Sequence, residues 1–323
     1  MHLKKILYIC IILLAAGLQS CSITARIKRA DRKYQIGEYY AAADIYRQTY
    51  RQINSKDKSL RAHVAFQQGE CYRILNNSKA VSAYKNAIRY NYHDSIVFVH
   101  YAQVLQYQGK HKEAIKQYQI YLQQFPEDYV AKSGLYACQM IEEWKKMQSR
   151  YQITPAKEFN DKRSSNYAPA FITSSADAIV FTSNRQEQNS SNKKKVRNSH
   201  VTGMPTFSLY TARKNAAGKW EDITLCEGLL SEDEEQESEE EKKGTSSAEL
   251  GVCSFTEDGR TMYLTYSKPI NGQDQGVKIY SSQRASGEWS EAQEVKLFRD
   301  SSITVGHPSI NATGDTLYFV SDA

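Results

Sequence analysis

No apolar run in this 323-residue chain is long enough to cross a bilayer: the stretch from Ile6 to Leu18 has 13 residues, against the roughly 20 that a spanning helix requires. Catalytic signatures are missing as well. There is no G-x-S-x-G elbow, no glycine-rich phosphate loop and no H-E-x-x-H, which excludes the hydrolase, nucleotide-binding and metalloprotease classes that depend on those spacings. The seven histidines (His2, His63, His93, His100, His111, His200, His307) stand at no metal-ligand spacing. Acidic residues are plentiful, yet no pair is singled out by an apolar surround. No catalytic residue, metal site, cofactor or nucleic-acid partner is therefore assigned, and the chain is not expected to be an enzyme.

Cysteine is scarce, with six in all. Cys10 lies inside the apolar run, which follows Lys4 and Lys5 in the manner of a secretory signal. Leu18-Gln19-Ser20-Cys21 closes that run, with Leu three residues before the Cys and a small Ser directly before it. This resembles the bacterial lipobox, which implies acylation of Cys21 as the first mature residue. The same residues also fit an ordinary signal peptide cut near Gly17 or an uncleaved anchor. Two acyl chains or more hold a soluble domain on a membrane without a spanning helix. With Ser22 next and no acidic cluster following, the resemblance implies the periplasmic face of the outer membrane. In that oxidising compartment the other four, Cys71, Cys138, Cys226 and Cys253, can pair. Cys226 and Cys253 flank an acidic stretch and would staple its ends; Cys71 and Cys138 fit buried free thiols equally well.

Charge of one sign does not dominate, since the net is +6, but it is unevenly spread. Residues 22–158 carry 22 Lys and Arg against 12 Asp and Glu, and residues 159–323 carry 18 against 24. The basic first half suits either a solvated helical surface or an anionic partner.

What is present is repetition of two kinds. In the first half, RKYQIGEYYAAADIYRQTY, QQGECYRILNNSKAVSAYKNAI and YAQVLQYQGKHKEAIKQYQIYLQQFP align on Ala42, Ala80 and Ala114 and on Tyr46, Tyr84 and Tyr118, at spacings of 38 and 34. Small residues on the first helix (Gly69, Ala102), Gly at the inter-helix turn (Gly37, Gly109) and Pro126 complete the pattern. It resembles the tetratricopeptide repeat, a helix pair of about 34 residues. Small residues let the helices of a pair approach, and the large aromatic fills the gap to the next pair. The middle turn, Asn76-Asn77-Ser78-Lys79, is one residue short and has no Gly. A last amphipathic helix from Tyr129 to Ser149 would cap the stack. The groove of such a stack implies protein partners, and most of its tyrosines are expected in the core.

In the second half, YAPAFITSSADAIVFTSNR from Tyr167, LGVCSFTEDGRTMYLTYSK from Leu250 and GHPSINATGDTLYFVSDA from Gly306 share an apolar stretch, a turn and an alternating strand. Turns on Asp177, Asp258-Gly259 and Gly314-Asp315 admit positive φ, and Ile179, Phe181, Met262, Leu264, Leu317 and Phe319 alternate onto one face, so each copy predicts a hairpin. A four-stranded unit recurring every 40 to 45 residues or so is the mark of a propeller blade. Such a blade is stable only in a ring, which suggests the front part of a longer protein. His307, before Pro308, suits a packing or turn role.

The expected organisation is multidomain: signal 1–20, anchor segment 21–29, an all-α repeat solenoid with capping helix 30–150, a linker 151–163 around Pro155, and an incomplete all-β propeller 164–323. Polar insertions near 186–203 and 231–247 interrupt the propeller, the second with eight acids between Glu232 and Glu241. These cannot bury apolar area and read as loops.

Taken together, these parts resemble the Bacteroidetes envelope lipoproteins that join tetratricopeptide repeats to a WD40-like (PD40) propeller of the OmpA family, some of them in type IX secretion. The resemblance implies a scaffold that binds protein partners through the repeat groove and a propeller face, and the membrane through acylated Cys21. Peptidoglycan would be bound only by an OmpA-like domain that these residues do not include. A generic envelope-integrity lipoprotein, or the propeller of a serine peptidase, fits the same motifs.

Overall fold

A computed structural model describes residues 23–147, 150–160, 164–185, 198–199, 201–230, 249–270 and 273–323. Cys10, Cys21, the signal and nearly all of both insertions lie outside the described residues. By contacts the chain divides into two compact units, one reaching to Gln152 and including 201–203, the other holding the rest from Ile153 onward.

The first unit is built of helix pairs: α1 (residues 23–35) with α2 (Tyr39–Gln52), α3 (Lys58–Ile74) with α4 (Ala80–Arg89), and α5 (Ile96–Tyr107) with α6 (His111–Gln124), followed by α7 (Tyr129–Lys146). Ala42, Ala80 and Ala114 are fully buried, and so, to within 1%, are Tyr46, Tyr84 and Tyr118. Close approach explains the small residues. A Cβ at Gly69 would stand 2.8 Å from the Tyr84 ring, and one at Gly134 on α7 would stand 2.4 Å from the Tyr118 ring.

The inter-helix turns share one geometry. Gly37 and Gly109 take φ of 81° and 72°, and in the middle pair Asn76 takes 49°. Each turn closes with the same two bonds, as in Asn76 N–H to Arg73 O at 3.0 Å and Asn77 N–H to Tyr72 O at 2.8 Å, a Schellman closure of the helix end. The turn that lacks Gly therefore uses Asn, the other residue that tolerates this region. Asp128 caps α7, its side chain accepting from Ala131 N–H at 2.8 Å, as Asp residues at helix starts do.

Among the described residues the second unit holds three antiparallel sheets. The first has β1 (Asn166–Phe171), β2 (Ala178–Ser183), β3 (Ser208–Lys214) and β4 (Trp220–Leu225) in order. The next has β5 (Glu249–Phe255), β6 (Thr261–Ile270), β7 (Gln273–Ala285) and β8 (Glu288–Trp289), with β9 (Gln293–Glu294) also on β7. The third is the hairpin of β10 (Val305–Ile310) and β11 (Leu317–Ser321). β5 packs against β1, β2 and β3, and β10 against β5, β6 and β7, so each sheet lies on the one before it. Successive sheets stacked in this way are what the blade reading of the sequence predicts.

The three copies share even an irregularity. The first strand slips register between Tyr167 and Ala170, between Gly251 and Cys253, and between Gly306 and Ser309. This is a β-bulge that recurs with the repeat. His307 occupies it at φ 54°; its backbone N–H donates to Thr265 Oγ1 at 3.1 Å. One turn differs from the expected chemistry: Gly259 and Gly314 carry the positive φ as anticipated, but in the first copy Ala176, not Asp177, does so, at 54°. Asp177 instead accepts a hydrogen bond from Ser175 Oγ at 2.7 Å, which fixes the turn from the side chain.

Around Pro155 the segment expected to link the units contributes Phe159 to the first sheet. Its ring meets Phe181 at 5.2 Å and Trp220 at 5.7 Å. Its carbonyl accepts from Asn166 Nδ2 at 2.9 Å and Arg185 Nη2 at 3.0 Å.

Candidate functional site

In the helical unit the first helices of successive pairs also touch one another, α3 with α5 and α5 with α7. They form the layer that carries the polar centre of the stack. Glu70, on α3, is 5% exposed and gathers three donors. Its Oε1 accepts from Tyr84 Oη at 2.6 Å, with His100 Nδ1 also 2.6 Å away, and its Oε2 accepts from Arg73 Nη2 at 2.7 Å. Burial pushes this carboxyl up, but the bonds from His100, Arg73 and Tyr84 outweigh it and hold the pKa at about 2. An ionised carboxylate is kept in the core because every donor around it favours the charged form. Phe66 lies parallel to His100 at 6.4 Å and to Tyr92 at 4.1 Å, which fixes the imidazole from its face.

The contact from the aligned Tyr to a side-chain oxygen of the first helix repeats along the stack, to an acid in the first two pairs and to an amide in the third. Tyr46 donates to Asp31 Oδ1 at 2.5 Å and Tyr118 to Gln106 Oε1 at 2.7 Å. The aligned tyrosines are thus core residues whose hydroxyls are satisfied across the pair, as buried phenols require.

Beside this centre a cavity of about 1,040 Å³ is lined by Arg73, Ile74, Gln103, Gln106, Tyr107 and His111, among others. Tyr107 is 79% exposed. Arg73 Nε and His111 Nδ1 are buried without a hydrogen-bond partner among the described residues. Arg73 is anchored through one arm on Glu70 and stands in the lining of a space rich in amides. Such a lining can hold an extended polypeptide and pair with a carboxylate or backbone carbonyl.

The sequence did not single out these groups. No pair of acids was singled out by an apolar surround, and Glu70 is a single buried carboxylate rather than a pair. Its position next to Gly69, on the packed side of α3, is the signal that could have revealed it. Among the described residues no cluster of three or more His, Cys, Asp or Glu could hold a metal ion, and no helix is long and apolar enough to cross a membrane. Cys71, Cys138, Cys226 and Cys253 are buried free thiols. Burial, and after it the Glu70 charge, pushes Cys71 up to about 12. Cys226 and Cys253 lie in one apolar cluster; burial pushes Cys226 up to about 12 and raises Cys253, with the charge of Cys226 adding to the latter.

No protein-family model matches the chain, and no curated protein matches it. Among solved structures it is similar to the P58(IPK) TPR domain, at 15% identity and TM-score 0.36, over 42% of this chain and 38% of that one. It is also similar to the first TPR of Spaghetti (RPAP3) bound to the HSP90 peptide SRMEEVD, at 16% identity and TM-score 0.33, over 38% of this chain and 93% of that one. A third is the Yersinia enterocolitica type III secretion chaperone SycD in complex with a peptide of the translocator YopD, at 16% identity and TM-score 0.33, over 38% and 95%. With its helix pairs, buried Ala and Tyr at each repeat and common turn closure, the helical unit is a stack of repeated helix pairs, the architecture that the sequence spacing predicts.

Proposed function

We propose that the chain is a non-enzymatic, lipid-anchored scaffold on the periplasmic side of the outer membrane, whose repeat groove holds a polypeptide partner. The observation that carries this reading is the cavity on the helical stack, lined by the side-chain amides of Asn76, Asn77, Gln103, Gln106 and Gln108 beside the exposed Tyr107. They suit a partner that brings carbonyl or carboxylate oxygens. Cys21 supplies the anchor, on the strength of the lipobox resemblance. The order of parts resembles that of the PorE component of the type IX secretion system, so the machine joined to the envelope would be of that type. Oxidation of Cys226 with Cys253 would tie the end of β4 to β5, and their burial in a common cluster supports that pairing. Thiol counting on denatured protein isolated without reductant tests it, with all four thiols reactive as the refuting result.

The groove is tested by placing a photo-crosslinking residue at Tyr107 in cells, with Ser82 on α4 as the control. The expected result is one discrete adduct from Tyr107, lost with Arg73→Ala or Gln103→Ala; equal adducts from Ser82 would reject the groove. The anchor is tested separately. Cys21→Ala should release the protein into the soluble periplasm, and sedimentation with membranes at high salt would rule the lipid out.

A further inference from the structure

The outer face of α1 carries charge of one sign. Five residues of this helix are basic (Arg26, Lys28, Arg29, Arg32 and Lys33) and one, Asp31, is acidic. Asp31 is engaged within the pair, where it accepts from the buried Tyr46 hydroxyl. Two of the cations are held at the rim: Arg26 hydrogen-bonds Gln52, and Lys33 pairs with Glu38 at 2.6 Å. Lys28, Arg29 and Arg32 are exposed, and no acid among the described residues pairs with them.

Helical geometry gathers these three on one side. At about 100° of turn per residue they share an arc about 100° wide, opposite Ile27 and Ala30, which are buried in the core of the stack. Ile36 continues the same stripe. Its N–H still bonds the Arg32 carbonyl at 3.2 Å, and its side chain is 66% exposed. The stripe therefore ends on an uncovered apolar residue.

Two ordinary explanations fall short. A merely solvated surface mixes its signs, as the rest of the stack does where Arg47 stands beside Asp44, Lys132 beside Glu127, Lys145 beside Glu142 and Lys146 beside Glu143. The helix dipole favours cations in the last turn, which accounts for Arg32 and Lys33 but not for Lys28 and Arg29. The stripe also lies close to the anchor: α1 begins two residues after Cys21. An extended chain reaches at most ~3.6 Å per residue and a helix rises ~1.5 Å per residue, so Lys28 stands within ~15 Å of that cysteine and Arg32 within ~21 Å. A helix lying along the leaflet brings all three cations within a Debye length of the headgroups, about 8 to 10 Å.

We propose that the outer face of α1 lies on an anionic phospholipid surface, with Lys28, Arg29 and Arg32 paired to headgroup phosphates and Ile36 at the edge of the acyl layer. The nearness to the bilayer rests on the acylation of Cys21 proposed above; the lipid affinity of the face does not. Phosphate suits the two arginines, whose planar forks bond its oxygens in pairs, and a basic patch beside an acyl anchor adds a second, electrostatic hold. The face then fixes how the stack is turned on the membrane, which the anchor alone leaves free.

The test uses the full chain from residue 21 with Cys21→Ala, which bears no lipid, sedimented with vesicles of phosphatidylcholine alone or of equal parts phosphatidylcholine and phosphatidylglycerol. The expected result is binding to the mixed vesicles that is lost without phosphatidylglycerol and at high salt. Lys28→Gln, Arg29→Gln and Arg32→Gln together should weaken it on the order of 100-fold, about 5-fold for each charge at the surface, with an unchanged far-ultraviolet circular dichroism spectrum. Lys110→Gln, Lys112→Gln and Lys116→Gln remove the same charge from exposed positions on the third pair and should leave most of the binding. Equal losses from the two triple variants, equal binding to both kinds of vesicle, or no binding at all, which would leave the face to a soluble partner, would each overturn the proposal. Because this chain carries no lipid, the result is independent of whether Cys21 is acylated in cells.

Discussion

The Tyr84 hydroxyl donates to Oε1 of Glu70 at 2.6 Å, joining the second helix of the middle pair to the first through a buried phenol and a buried carboxylate. Burial, then the charge and hydrogen bond of Glu70, raises the Tyr84 pKa, so the phenol stays a donor at any ordinary pH. Tyr84→Phe keeps the ring that fills the space above Gly69 and removes one of three donors from the carboxylate. Hydrogen bonds to charged groups contribute about 1.5 to 3 kcal/mol, and the substitution should destabilise the helical unit by about 2 kcal/mol. Urea unfolding at pH 7, followed by circular dichroism at 222 nm, measures it; a loss under 0.5 kcal/mol would mean that Arg73 and His100 alone satisfy Glu70.

Acid should weaken the same unit in a defined window. The folded pKa of Glu70, about 2, lies below the roughly 4.3 of an unfolded glutamate. A depressed carboxyl contributes stability that is complete above the unfolded value and is lost as pH falls through the folded one, here about 3 kcal/mol. Between pH 5 and 2 the denaturation midpoint of the unsubstituted chain should therefore drop more steeply than that of Glu70→Gln. Parallel slopes for the two proteins would assign the acid sensitivity to other carboxylates.

Two glycines are predicted to be intolerant for a reason unrelated to backbone freedom. Gly69 and Gly134 lie inside helices, where alanine is normally favoured by up to about 1 kcal/mol. A Cβ there would stand 2.8 Å from the Tyr84 ring and 2.4 Å from the Tyr118 ring. Overpacking of this kind costs about 1 to 3 kcal/mol and should reverse the sign. Gly69→Ala and Gly134→Ala are expected to lower the midpoint of thermal unfolding, and in a double-mutant cycle Gly69→Ala should cost less in a Tyr84→Leu background than in the unsubstituted chain. A rise in either single variant would show that the rings can move aside.

These residues show how much of the molecule was legible beforehand. Helical period, the Ala and Tyr alignment and the turn glycines identified the stack, because close packing of repeated helices leaves a strict spacing of small and large side chains. The hairpins were legible for a similar reason, since a half-buried strand must alternate. The Glu70 centre was not, because its partners are spread over Arg73, Tyr84 and His100, and only the folded stack brings them within 2.7 Å of the carboxylate. Phe159 was hidden by its setting: the polar residues and Pro155 around it read as a linker, while one aromatic side chain was enough to attach the segment to a sheet.

The hairpin turns supply a ranking that separates backbone strain from crowding. Gly259 and Gly314 occupy equivalent turns at φ 66° and 75°, where a residue with a Cβ costs about 1 to 2 kcal/mol. Their surroundings differ. A Cβ at Gly314 would meet nothing nearer than Thr256 Cγ2 at 3.7 Å, whereas one at Gly259 would stand 2.8 Å from Thr173 Cγ2 and 3.1 Å from the Ile172 carbonyl oxygen. Gly314→Ala should therefore cost about 1 kcal/mol from strain alone, and Gly259→Ala at least twice that, because it also pushes the second sheet away from the first. Ala176, which already holds φ 54° at the first turn, should gain stability on replacement by Gly if strain dominates there. Unfolding of the three variants, followed by tryptophan fluorescence with Trp220 and Trp289 as probes, gives the order; equal losses at Gly259 and Gly314 would show that the packing of successive sheets adds nothing to the demand for glycine.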